Sequence, residues 1–152
     1  MNNNILMLST IISEQEHNLL AQAIENSCNV VIVAHVAPDG DAVGSSLALR
    51  GVLLQLGKQV EVVMPDALPK SIMFLQGATD INIYKNDTER CKNIITKADT
   101  IFCLDFNEPK RVDLMQEDLV NAKAYKVMID HHINPSDFCN LIISYPQISS
   151  TS

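Results

Sequence analysis

Acidic and imidazole side chains follow three short apolar runs of the sequence. They are His35, Asp39, Asp41, Asp105, Asp130, His131 and His132. Imidazole and carboxylate groups without thiolate suit Mn²⁺, Fe²⁺, Co²⁺ or Zn²⁺ better than Ca²⁺, whose ligands are normally all oxygen. Carboxylates crowded together would also repel each other unless a cation lay between them. These residue types therefore predict a divalent-metal site.

The candidate ligands outnumber what a single ion needs. Two ions about 3.5–4 Å apart, bridged by one carboxylate, would use them, and such pairs promote phosphoester hydrolysis. The ions polarise the phosphoryl oxygen and lower the pKa of a shared water, which becomes the nucleophile. The pattern therefore predicts phosphoester hydrolysis that needs no Ser or Cys nucleophile.

Two of these groups also have a structural interpretation when taken alone. Pro38-Asp39-Gly40-Asp41 is a favourable turn sequence with Asp41 as a helix N-cap. Asp105 could likewise cap a helix. Asp130-His131-His132 has no such explanation, because local propensity gives no reason for two adjacent imidazoles beside a carboxylate. The joint occurrence of all three groups favours the metal site.

Strands and helices that would position these groups alternate along the chain. Helical spacing covers residues 14–26, opened by the capping box of Ser13 and Glu16, and then 42–56, 88–98 and 112–122, with a short helical piece at 70–75. Strands are predicted over 30–34, 60–64, 101–104, 126–129 and 141–144, with 81–84 as a further short candidate. Helix 42–56 is apolar nearly all round, which predicts that it is buried.

This alternation predicts an α/β fold: a three-layer domain with a mostly parallel sheet of about five strands flanked by helices. In such sheets, ligands bind outside the carboxyl ends of the strands. The acids and histidines follow three different strands. Parallel pairing would therefore bring them to one edge of the sheet.

Composition excludes several classes of protein. The 152 residues are 47% apolar, which is enough to fill a core, and they contain no apolar run of about 18 residues that could span a membrane. Residues 5–12 are apolar, but they follow no Lys or Arg and precede no small-residue cleavage site, so a cytoplasmic protein is expected. Lys and Arg total 11 against 18 Asp and Glu, and this net charge of −7 argues against a general basic face for nucleic acid.

The cysteines lie far apart in the sequence. Cys28, Cys91, Cys103 and Cys139 form no CxxC pair. Without a secretory context, buried free thiols are expected rather than disulfides or a zinc framework.

Four segments together resemble the motifs of the DHH phosphoesterase superfamily. Residues 35–45 are similar to its first motif, Leu104-Asp105 to its second and Asp130-His131-His132 to its third. Ser149-Ser150-Thr151-Ser152 resembles the start of the fourth. The first motif, with Pro-Asp-Gly-Asp-Ala and then Gly-Ser, is most similar to a branch of bacterial nanoRNases. Those enzymes also remove the 3′-phosphate of phosphoadenosine phosphate, and cyclic-dinucleotide phosphodiesterases are close relatives.

The resemblance implies roles for particular residues. Its implied metal ligands are His35, Asp39, Asp41, Asp105 and His131. His35 and Asp39 would bind one Mn²⁺, Asp41 and His131 a second, and Asp105 would bridge the two, with Mg²⁺ or Co²⁺ as substitutes. His132 would contact the substrate phosphate, and Asp130 would hold the adjacent imidazole in its ligating tautomer.

The activity implied is a Mn²⁺-dependent phosphodiesterase or phosphatase acting on short oligoribonucleotides or on small nucleotides such as phosphoadenosine phosphate. Alternatives within the superfamily are a cyclic-dinucleotide phosphodiesterase, a single-strand exonuclease and an inorganic pyrophosphatase. A non-catalytic module that binds metal or nucleotide is the alternative from another class.

The resemblance also bears on domain organisation. Members of the superfamily continue past the fourth motif to a further aspartate and a DHH-associated domain that holds the nucleotide. Residues 1–152 are therefore expected to be a DHH catalytic domain truncated at its C-terminal end. The face left open would allow association into a homo-oligomer.

Overall fold

The computed structural model describes residues 11–152, in which strands and helices alternate. The strands are β1 (Asn29–Val33), β2 (Gln59–Met64), β3 (Asn82–Ile83), β4 (Thr100–Leu104), β5 (Tyr125–Asp130) and β6 (Leu141–Ser144). The α-helices are α1 (Glu14–Asn26), α2 (Gly40–Gln55), α3 (Thr88–Lys97) and α4 (Gln116–Asn121), with 3₁₀ segments at Lys70–Ile72, Ala78–Asp80 and Pro109–Met115. The predicted α/β class is confirmed.

All six strands form one parallel sheet in the order β3-β2-β1-β4-β5-β6. The predicted sheet of about five mostly parallel strands becomes six because the two-residue β3 pairs with the end of β2. The chain builds outward from β1 to β3 and then returns to the other side of β1 with β4. This reversal between β1 and β4 is the position at which open α/β sheets bind ligands.

Layers of helix cover both faces of the sheet. In β1, Val30 and Ile32 pack into the core beneath α1 and α2, whereas Val31 and Val33 pack into the core beneath α3 and α4. Successive side chains of a strand point to opposite faces, so a continuous run of Val and Ile is buried on both. The predicted three-layer arrangement follows from this pattern.

The first two helices differ in how well periodicity predicts them. Helix α1 has the predicted bounds and the predicted capping box between Ser13 and Glu16. Helix α2 ends before Gly57, which adopts a left-handed φ of 77°. The prediction that this helix is buried all round is wrong, because Val52 and Leu54 are 54% and 44% exposed. A helix lying on one face of a sheet keeps one side toward solvent, whatever residues that side carries.

The predicted helix over residues 112–122 is also only partly correct. A 3₁₀ segment, Pro109–Met115, precedes the short α4, and the backbone breaks at Asp113 with φ 50° and ψ −122°. Val112 and Met115 are both fully buried on either side of this break. Burial of these two side chains therefore overrides the helical periodicity.

The cysteines are all free, as predicted, but they are not all buried. Cys91 and Cys103 are buried, Cys139 is half-buried and Cys28 is exposed. The apolar stretch of residues 5–12 lies outside the described residues except for its last two. Among the helices of residues 11–152, none combines the length and apolar character that a membrane crossing requires.

Candidate metal centre

His35 occupies the loop directly after β1. Its side chain is almost fully buried, and its Nδ1 lies 2.7 Å from the carbonyl oxygen of Val36. Since a carbonyl can only accept, Nδ1 carries the proton and Nε2 faces the carboxylate of Asp105 at 3.4 Å. Hydrogen bonding to Asp105 raises the pKa of His35, although burial alone would lower it. The Nε2 atom is thus held where it can bind a proton or a metal ion.

The two acids of the same loop have different surroundings at the start of α2. Asp39, and not Asp41 as its turn sequence suggested, is the N-cap, and its Oδ1 accepts the N–H groups of Asp41 and Ala42. Asp39 Oδ1 also lies 4.0 Å from His35 Nε2, and its side chain is 64% exposed. The carboxylate of Asp41 is more enclosed and lies 3.6 Å from His131 Nε2.

Asp105 is the most enclosed of the metal-ligand candidates. It follows β4 directly, is 2% exposed and adopts a left-handed φ of 62°, which Asp tolerates better than most residues. Its Oδ2 faces His35 Nε2 at 3.4 Å, and its Oδ1 faces His131 Nε2 at 3.2 Å. A single carboxylate therefore presents one oxygen to each of two imidazoles from different strand ends.

Asp130, His131 and His132 follow one another at the end of β5. The buried Asp130 carboxylate accepts the N–H of His132 at 3.0 Å and lies 2.7 Å from its Nδ1. It therefore orients His132 rather than the ligand candidate His131. Ligand atoms of Asp105, His131 and His132 lie within 4.8 Å of one another, as do those of His35, Asp39 and Asp105. The structure thus brings together the acids and histidines of all three strand ends.

Residues 150–152 contact the centre in a way that sequence reasoning did not predict. Asp41 accepts the backbone N–H groups of Thr151 and Ser152 at 2.8 Å and the Ser150 hydroxyl at 2.9 Å. Burial alone would raise the pKa of Asp41, but these hydrogen bonds outweigh it and lower that pKa. The Thr151 hydroxyl donates to Asp105 Oδ1 at 3.1 Å. The resemblance of this segment to a fourth motif was the signal that could have pointed to these contacts.

Asn107 is a second contributor that the sequence did not single out. Its side-chain amide donates to the carbonyl of Ile133, and its own carbonyl accepts the N–H of Ser136. These bonds tie the loop after β4 to the loop after β5. They hold the segment that follows His132 against the segment that follows Asp105.

The donor set of the centre fits a divalent cation. Three carboxylates, those of Asp39, Asp41 and Asp105, lie beside two imidazole Nε2 atoms, with the distances given above. The negative charges of these carboxylates repel one another, and a cation bound between them would relieve that repulsion. Nitrogen and oxygen donors without thiolate suit Mn²⁺, Fe²⁺, Co²⁺ or Zn²⁺. A parallel α/β sheet with this set at its switch point defines a candidate divalent-metal centre.

Comparison with known proteins agrees with this class. The DHH family, N-terminal domain, matches residues 29–152, and the chain belongs to the DHH family. The predicted resemblance is confirmed. The chain is 32% identical, over 81% of its length, to the bifunctional oligoribonuclease and PAP phosphatase NrnA of Thermus thermophilus. It is 28% identical, over 88% of its length, to the cyclic-di-AMP phosphodiesterase GdpP of Bacillus subtilis.

A solved structure shows the same fold. The crystal structure of an exopolyphosphatase-related protein from Bacteroides fragilis superposes with a TM-score of 0.92 at 42% identity, covering 93% of this chain. The chain spans 34% and 21% of the lengths of the two curated relatives and 42% of the solved chain.

Proposed function

We propose that these residues form the catalytic domain of a Mn²⁺-dependent phosphoesterase that hydrolyses short oligoribonucleotides or small nucleotides such as phosphoadenosine phosphate. Membership of the DHH family supports phosphoester hydrolysis as the class of reaction. The relative named as an oligoribonuclease and PAP phosphatase supports this choice of substrates. The net charge of −7 also favours a small substrate over a long nucleic acid held by its phosphates.

One observation carries the metal part of the proposal. Oδ1 and Oδ2 of Asp105 face two different imidazole nitrogens at 3.2 and 3.4 Å. A carboxylate in this position can give one oxygen to each of two ions. His35 and Asp39 would complete the set around one ion, and Asp41 and His131 the set around the other.

The protein side chains have separable tasks in this proposal. Bound metal ions would polarise the phosphoryl group and lower the pKa of the attacking water. The Val36 carbonyl fixes the tautomer of His35 so that Nε2 is the ligand atom. Asp130 holds His132 through Nδ1 and leaves the Nε2 of that ring able to contact a substrate phosphate. Burial of Asp105 strengthens each electrostatic interaction within the centre.

Asp105→Asn tests the proposal at the residue on which it most depends. Asn keeps the size of the side chain and tolerates a left-handed φ, so the fold should persist. Loss of an indirect partner of a metal costs about 10–100-fold, so loss of a shared ligand should reduce Mn²⁺-dependent hydrolysis by more than about 100-fold. The matched control is Asp99→Asn, which changes the acid just before the same strand, at the opposite edge of the sheet.

Hydrolysis of a ribodinucleotide and of phosphoadenosine phosphate, with and without Mn²⁺, provides the measurement. Retained Mn²⁺-dependent turnover in Asp105→Asn would contradict the proposed centre. Mn²⁺ binding without hydrolysis of any substrate would favour a non-catalytic module instead.

Similarity to GdpP makes a cyclic dinucleotide the second candidate substrate, since 88% of this chain matches that cyclic-di-AMP phosphodiesterase. Including cyclic di-AMP in the same assay separates the two candidates. A higher kcat/KM for cyclic di-AMP than for the linear dinucleotide would replace the proposed substrate class while leaving the metal centre intact.

A further inference from the structure

The loop that carries His35 and Asp39 contains a strained residue. Ala37, between these two candidate ligands, has a φ of 48°. Ala lacks the short polar side chain that lets Asp or Asn bond locally in the left-handed region, so this conformation is unfavourable for it. Strained backbone of this kind persists where the surrounding structure holds it in place. The contacts that hold this loop therefore also determine where His35 and Asp39 lie.

Two consecutive N–H groups of the loop are bound by two different segments. The N–H of Val36 donates to the carbonyl of Arg111 at 2.8 Å, in the 3₁₀ segment after β4. The N–H of Ala37 donates to Oδ2 of Asp66 at 2.8 Å, in the connection after β2. The separation of His35 from Asp39 thus depends on where these two segments lie.

Lys85 joins the two segments to each other. Its Nζ lies 2.6 Å from Asp66 Oδ1 and 3.3 Å from Asp113 Oδ2, and its backbone N–H donates to the carbonyl of Pro65. Asp113 is the residue at which the 3₁₀ segment breaks, with φ 50°. Asp66, Lys85 and the 3₁₀ segment therefore close a ring with the His35 loop.

We propose that Lys85 is a positioning residue for the candidate metal centre. By pairing with Asp66 and Asp113, it holds both segments that bind the strained loop and so sets the places of His35 and Asp39. The inference rests on the proposed function. It differs from an ordinary surface ion pair, which would affect stability slightly and metal binding only through its charge.

Coulomb's law makes the test decisive. Lys85 follows β3 at the carboxyl edge of the sheet, so removing its positive charge should by itself tighten the binding of a divalent cation at that edge. A positioning role predicts the opposite, because the ligands would no longer be held in place. The sign of the change in affinity therefore separates the two effects.

The experiment measures Mn²⁺ affinity by titration calorimetry, and the melting temperature without metal, for the wild type and four variants. Lys85→Met and Lys85→Gln each remove the lysine charge and break the ring, whereas Lys85→Arg keeps a cation that can reach both carboxylates. Lys110→Met is the matched control: Lys110 is exposed and pairs at 2.9 Å with Glu108 rather than with any member of the ring.

Lys85→Met and Lys85→Gln should each weaken Mn²⁺ binding by about tenfold or more, as for other indirect metal partners. Their melting temperatures should fall by less than about 4 °C, as expected for an exposed ion pair. Lys85→Arg should restore most of the affinity, and Lys110→Met should bind Mn²⁺ as tightly as the wild type or more tightly.

Unchanged or tighter Mn²⁺ binding in Lys85→Met, beside normal binding by the wild type, would overturn the inference alone. If Lys85→Met does not fold, Lys85→Gln, which removes the same charge, decides the question by the same criterion. Absence of Mn²⁺ binding in the wild type would overturn the proposed function, and the inference with it.

Discussion

The two edges of the sheet differ in how well the local sequence suits the backbone. The loops at the carboxyl ends of β1, β4 and β5 contain four non-glycine residues with positive φ, namely Ala37, Asp105, Asp113 and Asn134. At the opposite edge, the left-handed turn after α2 is made by Gly57, which adopts that conformation without strain. Strain is thus concentrated at the edge that carries the candidate centre.

Buried charge is distributed in a similar way. At the carboxyl edge, His35, Asp105 and Asp130 are nearly inaccessible to solvent. His35 contacts Asp105, and Asp130 contacts His132, so each buried group has a partner within the candidate centre. Lys126 is buried at the opposite edge, but its amino group donates a hydrogen bond to the backbone carbonyl of Ala122, four residues earlier in the chain. The comparison indicates that the core and the amino edge supply the stability with which the fold holds strained backbone and clustered acids at the carboxyl edge.

Phe102→Ala should give the largest effect and should act on stability. Phe102 lies in β4 and is fully buried, so its loss leaves a cavity and should lower the free energy of unfolding by about 3–5 kcal/mol. Urea denaturation measures this change, with Phe102→Leu as the milder control. An equally large loss of Mn²⁺ affinity in protein that remains folded would break the distinction between core and edge.

Asp130→Asn should act on catalysis and much less on stability. The side chain of Asp130 is fully buried and orients His132, so the variant should reduce kcat by about 10–100-fold. Steady-state kinetics with Mn²⁺ checks the prediction, and Mn²⁺ affinity should change little. A kcat equal to that of the wild type would show that orientation of His132 does not matter for the reaction.

Asp99→Ala provides the opposite result at the amino edge. Oδ2 of Asp99 accepts the N–H groups of Cys28 and Asn29, both at 2.9 Å. Removing these hydrogen bonds should lower the free energy of unfolding by about 1–3 kcal/mol. Thermal denaturation measures that loss, and hydrolysis by the folded protein should be unaffected. Reduced kcat would mean that the two edges are coupled through β4.

The smallest expected effect is a pH dependence at Asp66. Pairing with Lys85, and then the hydrogen bond from Ala37, lowers the pKa of Asp66 below its usual 3.8. Because the folded pKa is the lower one, the stabilisation is present above the unfolded value and is lost as pH falls through the folded value. Below about pH 4, the wild type should therefore lose up to about 1 kcal/mol more stability than Asp66→Asn. Denaturation at pH 3 and pH 6 tests this, and parallel losses in both proteins would contradict it.

Much of the architecture was predictable from local patterns. The capping box at Ser13 placed helix α1, and the continuous Val and Ile of residues 30–33 indicated a strand covered on both faces. Acids and histidines after strands predicted a shared edge, and the structure brings those residues together. The wrong predictions concern what each element packs against, as for the exposed Val52 and the break at Asp113.

Spacing along the chain was sufficient to predict the strands and the α/β class, because these depend on the periodicity of neighbouring residues. The ligand candidates were then the acids and histidines that follow three of those strands. The ring of Asp66, Lys85 and Asp113, the pairing of Asp130 with His132 and the contacts of Thr151 were not predictable in this way. Most of them join residues from separate connections that have no regular spacing. They form once the parallel sheet has brought the ends of distant strands within hydrogen-bond distance.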